Sequence, residues 1–296
     1  MLHTLTYHVR EAVPFINWHY FFHLWQIPAN LVPAIVNGND VAEDHDGRHL
    51  LLVQEGRRLY QEALAMVGEF DDKYEIRCRV GLYDASSEGD DILIFDEERT
   101  MLLPCLRQQH PATADNPDLC LSDFIRPAGS GPKDRLGVFA TAVPQEMEDS
   151  YADDRYLSLM ARAVSDRLAE AATEMAHLKV RRELWGYAPG EDLPVVALLA
   201  EKFQGIRPAV GYPSLPDQSV NFILNDLIDM GVIGIRVTEN GAMMPHAAVS
   251  GLMIAHPAAR YFAVGKIGED QFRDYSRRRG LPEKRMKQFL TSNISF

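Results

Sequence analysis

The chain has 296 residues, 46% of them hydrophobic, and a net charge of -12. That is enough for a sizeable core in one large domain or two small ones, and the acidic balance argues against general nucleic-acid binding. No apolar run reaches the ~18–20 residues of a membrane span, and His3, His8, Arg10 and Glu11 break any signal-peptide pattern. Cys78, Cys105 and Cys120 include no Cys-x-x-Cys pair, which suggests buried thiols in a reducing, cytoplasmic setting.

In chain order, Val41 to Asp46 is acidic and reads as a loop. His49 to Val67 carries Leu52, Val53, Leu59, Tyr60, Ala63 and Leu64 at helical spacing, and Gly68 reads as its end. Ile76 to Asp84 reads as a strand, Ser86 to Asp91 as a turn, and Ile92 to Phe95 as the partner strand of a hairpin. Leu136 to Val143 is another strand candidate. Asp153 or Asp154 can cap a long helix running to about Trp185, with Leu157, Met160, Val164, Leu168, Ala172 and Met175 on one stripe. Pro189 and Gly190 end that segment. Ser219 to Met230 reads as a shorter helix stopped by Gly231. Ile233 to Val237, Ala248 to Ile254 and Tyr261 to Val264 read as strands of a late sheet, and Glu269 to Arg279 as a helix capped by Gly280. Strands clustered apart from helices predict an α+β fold with antiparallel pairing.

The most telling stretch is Gly205-Ile206-Arg207-Pro208-Ala209-Val210-Gly211-Tyr212-Pro213. Its prolines and glycines predict a stiff, turned backbone that is neither helix nor strand. Arg207 precedes a proline, so its backbone is restricted to extended geometry. A guanidinium fork on such a turn suits one planar carboxylate, from a ligand or from a neighbouring acid. Gly211 permits close approach to the backbone, and Tyr212 adds an aromatic face with a polar tip.

On the long helix, Asp166 and Glu170 share a face and His177 lies near it. This set reads either as salt-bridging acids, as a receiver for a ligand ammonium, or as a metal site; no metal is expected, because no second acid–histidine pair stands out. Tyr261 and Phe262, read as strand neighbours, would point to opposite faces, one to the core and one to a ligand. Arg107, Gln108, Gln109 and Asp123 read as buried scaffold rather than catalysts. No Gly-x-Ser-x-Gly elbow, Gly-x-Gly-x-x-Gly or P-loop is present, so no catalytic residue is assigned. Residues 260–296 hold nine Lys/Arg and four acids, leaving the rest of the chain at -17. That basic end, Arg277, Arg278 and Arg279 above all, is expected either to face an acidic partner or to be a solvated helix surface.

The Arg-Pro-Ala-x-Gly-Tyr-Pro string resembles the activation domain of cobalamin-dependent methionine synthase, which binds S-adenosylmethionine (AdoMet). The resemblance continues in Phe15-Ile16-Asn17-Trp18, Asp90-Asp91-Ile92, Leu106-Arg107-Gln108-Gln109, Leu121-Ser122-Asp123-Phe124-Ile125, Asp166-Arg167-Leu168-Ala169-Glu170-Ala171 and Trp185-Gly186-Tyr187-Ala188-Pro189. Thr238-Glu239, Met243, Pro245, Tyr261-Phe262 and Asp270-Gln271 follow in the same order. It implies one C-shaped α+β domain over residues 1–296, a twisted antiparallel sheet flanked by helices. It also implies an AdoMet site built from Asn17, Glu170, Glu201, Arg207, Ala209, Gly211, Tyr212, Tyr261 and Phe262. Arg207 would fix the methionine carboxylate, Glu201 would support the guanidinium, and Tyr212 would lie between AdoMet and the corrin.

In the family, oxidised cob(II)alamin takes an electron from a flavodoxin-like donor and the resulting cob(I)alamin attacks the AdoMet methyl group. This chain has no Asp-x-His-x-x-Gly cobalamin-ligand motif and no zinc-thiolate cluster. The expected function is therefore a reactivation subunit or domain, inactive alone, that presents AdoMet to cobalamin carried by a partner. The alternative is a non-catalytic module that binds a corrinoid protein or another small ligand. One departure bears on that choice: Asn17 stands where the family has an aspartate, which keeps an acceptor oxygen but loses the charge.

Overall fold

The computed structural model describes residues 1–39, 47–97, 99–109, 117–294 and 296; the loop expected at Val41 to Asp46 lies outside them. The elements in chain order begin with β1 (Leu2–His8), α1 (Val9–Ala12), α2 (Trp18–Leu24), α3 (Val32–Asn37) and α4 (Arg48–Asp71). Strands β2 (Glu75–Glu88), β3 (Asp91–Phe95), β4 (Thr100–Pro104) and β5 (Asp134–Ala142) follow. Next come α5 (Glu146–Asp149), α6 (Arg155–Lys179), α7 (Val195–Leu199) and α8 (Val220–Ile228). The chain closes with β6 (Arg236–Val237), β7 (Met243–Met244), β8 (Ala248–Met253), α9 (Glu269–Arg278) and α10 (Glu283–Phe289).

The main sheet runs β4-β3-β2-β5-β8, with β1 also on β2, and every pairing is antiparallel. The α+β expectation therefore holds. Strand β2 organises the sheet: its first half pairs β1 from Leu2↔Gly81 to His8↔Glu75, and its second half pairs β3 from Asp84↔Phe95 to Glu88↔Asp91. Along its other edge it pairs β5 from Arg77↔Ala142 to Ala85↔Asp134. Both faces are covered. Helices α1 to α4 and α6 pack on one, against Cys78, Val80, Phe139 and Met253. On the other, Leu224, Leu227 and Ile228 of α8 meet Tyr83, Leu136, Val138 and Leu252. Burial on two faces explains why Leu136 to Ala142 reads as a continuous apolar run rather than an alternation.

Helix α6 crosses the sheet closely because small residues line its inner stripe; Ala161, Ala169, Ala172 and Ala176 are all buried. Asp154 caps it, accepting from the Tyr156 and Leu157 amides, and a π-helical turn over Val180–Leu184 continues it to Trp185.

Several boundaries differ from the sequence expectation. Helix α4 runs through Gly68 to Asp71, because Gly68 does not take the positive φ of a helix-ending glycine and Phe70, in the last turn, is buried in the core. Asp229, at φ 48°, ends α8 rather than Gly231, and a 3₁₀ turn over Met230–Ile233 shortens the following strand to Arg236–Val237. Residues 261–264 form no strand and have no regular secondary structure. The Arg207 turn, expected to be neither helix nor strand, docks as a short extended segment on β8, with bridges Ile206↔Ile254 and Ala209↔Gly251. Pro208 lacks an amide hydrogen, which an edge position tolerates. Gly251 makes this docking possible: a Cβ there would sit 2.2 Å from the Pro208 carbonyl oxygen.

Candidate functional site

Where the docked turn faces α6, a cleft of about 820 Å³ opens. One wall is Phe15, Asn17, Tyr20, Phe21 and Leu24 from the N-terminal segment. A second is the α6 face bearing Asp166, Glu170 and Glu174, four residues apart on successive turns. Arg207, Pro208, Ala209 and Tyr212 form a third, with Glu201 and Leu198 beside them and Tyr261 and Phe262 at the far end.

The turn's geometry is fixed from several sides. The Val210 amide donates to the Ser250 carbonyl at 2.9 Å and the Leu252 amide to Pro208 at 3.0 Å. Gly205 and Gly211 take φ values of 86° and 88°, which a residue with a Cβ rarely adopts. The Arg207 amide donates to the Tyr261 hydroxyl at 2.9 Å, tying the aromatic segment to the turn. That segment is held further by Ser214 Oγ, which donates to the Phe262 carbonyl and accepts from the Phe262 amide. Gln108 Nε2 donates to the Ala263 carbonyl at 2.8 Å. Arg107 pairs with Asp90 and Asp123, each at 2.7 Å, and exchanges two backbone–side-chain bonds with Gln271. The Leu106–Gln109 string is thus scaffold, as its sequence implied.

Arg207 is largely buried and lies between two carboxylates: Nη2 reaches Glu174 at 3.3 Å and Nη1 reaches Glu170 at 3.8 Å. Its Nε is buried and has no hydrogen-bond partner among the described residues. Burial works against the guanidinium charge, but Glu174 and Glu170 outweigh it and hold the Arg207 pKa above its ordinary value. Tyr212 donates to Glu170 at 2.9 Å; the Glu170 charge, then burial, pushes the phenol up to about 12. Burial raises the Asp166 and Glu201 carboxyls above their ordinary values, and Asp166 also has His246 at 3.6 Å.

Eight of the nine residues expected at the site line this cleft: Asn17, Glu170, Glu201, Arg207, Ala209, Tyr212, Tyr261 and Phe262. Gly211 does not; its amide donates to the Leu215 carbonyl, and its contribution is the positive φ that turns Tyr212 toward Glu170. Glu201 was expected to hold the guanidinium, yet no hydrogen bond or ion pair joins the two, and Glu174 holds it instead. Glu201 also sits at φ 56°, a strained backbone for a non-glycine residue. Asn17 Oδ1 accepts from the His19 amide at 3.2 Å, so it is the N-cap of α2 as well as part of the wall. His177 is fully buried, with Nε2 3.3 Å from the Tyr187 hydroxyl, and does not join Asp166 and Glu170. Among the described residues no His/Cys/Asp/Glu group has metal-binding geometry.

The sequence reading missed Glu174 and what lies behind it. Arg181, on the π-turn, is completely buried, reaches Glu174 at 3.6 Å and grips Glu191 with Nε and Nη2 at 2.9 and 2.8 Å. The four-residue spacing Asp166–Glu170–Glu174 was the available signal; the partner arginine, displaced by a π-turn, left none.

The chain matches the family described as vitamin B12 dependent methionine synthase, activation domain, over residues 8–280. It belongs to that family. A crystal structure of the MetH reactivation domain bound to AdoHcy is similar, with 34% identity and a TM-score of 0.87, covering 100% of this chain and 91% of that one. The family resemblance read from the Arg207 turn is thereby borne out.

Proposed function

We propose that the chain binds AdoMet in this cleft and serves as the reactivation element of a cobalamin-dependent methionine synthase. The observation that carries the reading is the Arg207 guanidinium, presented by a rigid turn to a cleft otherwise rich in carboxylates. The residues fit the ligand's chemistry. AdoMet carries one carboxylate, two cationic centres and an aromatic base. Arg207 lines the cleft and offers the carboxylate its guanidinium, held by Glu174 and Glu170 only at 3.3 and 3.8 Å. Glu201, Asp166 and Glu170 give the cleft a negative potential for the cations, and Tyr261 and Phe262 offer ring surfaces. The volume suits a ligand of this size.

When bound, AdoMet supplies an electrophilic methyl group. The protein's own part is position and electrostatics: Arg207 fixes one end of the ligand, and the α6 carboxylates favour its charged form. Tyr212, half-exposed at the mouth and bonded to Glu170, faces the side from which a corrin would approach. The partner is a cobalamin-binding module of methionine synthase, with a flavodoxin-like protein as electron donor. Residues 1–296 act as one activation domain, and three free, buried cysteines agree with a cytoplasmic setting. No described helix is long and apolar enough to cross a membrane.

The test is transfer of a labelled methyl group from AdoMet to cobalamin on a cobalamin-binding module under reducing conditions, with and without this chain. Label on cobalamin only when the chain is present supports the reading. Binding of the module without transfer favours the non-catalytic alternative.

A further inference from the structure

Arg207 is the only cation of the docked turn, and it does not stand alone. Behind it runs a buried line of alternating charge: Arg207, Glu174, Arg181, Glu191. The contacts along it are unequal. Arg181 grips Glu191 through two parallel bonds at 2.9 and 2.8 Å, the length of a full charge-assisted fork. Glu174 lies between the two guanidiniums, hydrogen-bonded to Arg207 by a long 3.3 Å contact and 3.6 Å from Arg181, beyond hydrogen-bond reach. Phe203, with its ring 4.0 Å from the Arg181 guanidinium carbon, seals the inner end from water. In so dry a place a carboxylate shared between two cations cannot saturate either. Arg207 is therefore aimed by Glu174 while its Nε stays without a partner among the described residues.

We propose that Arg181 and Glu191 are positioning residues: Arg181 draws Glu174 back from Arg207, Glu191 restrains Arg181, and together they set how strongly Glu174 holds Arg207 and so tune the cleft's affinity for the carboxylate end of its ligand. The proposal rests on AdoMet binding through Arg207. It makes signed predictions. Without the Arg181 charge, Glu174 closes on Arg207 and competes with the ligand carboxylate. Without the Glu191 charge, Arg181 turns wholly to Glu174, and Arg207 is released to the ligand.

The test is calorimetric titration of the full chain with AdoMet and with decarboxylated AdoMet, which keeps both cationic centres and lacks only the carboxylate. Arg181→Met should weaken AdoMet roughly tenfold or more, the scale of a charge-assisted bond. Glu191→Gln, which preserves volume, should tighten AdoMet severalfold. Neither should move decarboxylated AdoMet by more than about twofold. Equal shifts for the two ligands would mark the line as structural and overturn the proposal, as would an unchanged ratio in both variants. Should Arg181→Met fail to fold, Glu191→Gln decides alone, and an unchanged or reduced preference for AdoMet overturns it. Wild-type chain that binds neither ligand sinks the AdoMet reading and this proposal with it, whereas normal wild-type binding with unchanged ratios removes this proposal alone.

Discussion

Reversing charges at the C-terminal arginines separates two roles that the sequence merged. Arg277 is exposed and, among the described residues, pairs only with Asp274. Arg279 is almost fully buried: Nη2 donates to Ser219 Oγ at 2.8 Å and to its carbonyl at 3.0 Å, and Nε reaches Asp217 at 3.3 Å. Asp217 is itself buried and also accepts from the Tyr275 hydroxyl at 2.8 Å. Arg279→Glu would set a second carboxylate against Asp217 with no cation between them. Breaking a buried pair costs about 3–5 kcal/mol, a large share of the ~5–15 kcal/mol that holds a domain folded. For a chain of this size that is a fall in Tm of roughly 5–8 °C. Arg277→Glu should shift Tm by only about 2 °C or less. Thermal melts of the two variants under one buffer decide it. Equal, small shifts would refute the assignment of Arg279 to the core and return it to the solvated surface. Arg278, tied to Asp91, Asp274 and the Cys105 carbonyl, belongs with Arg279. Of the two readings of these arginines, a face for an acidic partner or a solvated helix surface, burial and ion pairing remove Arg278 and Arg279 from both, and Arg277 alone of the three is placed to test the first.

Asn17→Asp should raise thermal stability slightly, since a charged N-cap suits the positive end of α2. It should also tighten AdoMet by up to ~1–3 kcal/mol if the added charge reaches the ligand's cations; a stability gain without tighter binding would confine residue 17 to capping. AdoMet affinity should fall as pH drops from neutral toward the ordinary carboxylate range near ~4, because Glu201 and Asp166 titrate early. The sign for stability is opposite: a carboxyl raised by burial costs stability while ionised, and that cost is relieved as it takes up a proton, so lost affinity from these groups is not lost fold. Glu201→Gln should flatten part of the pH profile in calorimetry; an identical profile would exclude Glu201 from the effect.

Much of the fold was legible because its signals are local. The α6 stripe, the β2–β3 hairpin and the Arg207 turn all rest on spacing or on proline and glycine. What escaped depends on tertiary context. Strand β1 alternates exposed and half-buried positions, but only Leu5 and Tyr7 of its inner face are apolar, too short a pattern to read without the edge that β2 offers. Residues 261–264 look like a strand but lie against Ser214 and Gln108 instead of a ladder. At the site, Glu174 is visible as a spacing but not as the partner of Arg207, because it is 33 residues away in sequence and only the docking of the turn against α6 brings the two together. Arg181 and Glu191 meet only because the π-turn redirects the helix end, and no periodic pattern encodes that meeting.

The central claim is that AdoMet binds in this cleft with its carboxylate on Arg207. Titration calorimetry of AdoMet into the wild-type chain and Arg207→Ala, both confirmed folded by melting, tests it most directly. The account predicts binding by the wild type and a loss of about 2–3 kcal/mol, roughly 30- to 150-fold, in the variant. Wild-type chain that gives no heat and no thermal shift with millimolar AdoMet, or a variant that binds as tightly as wild type, would contradict it.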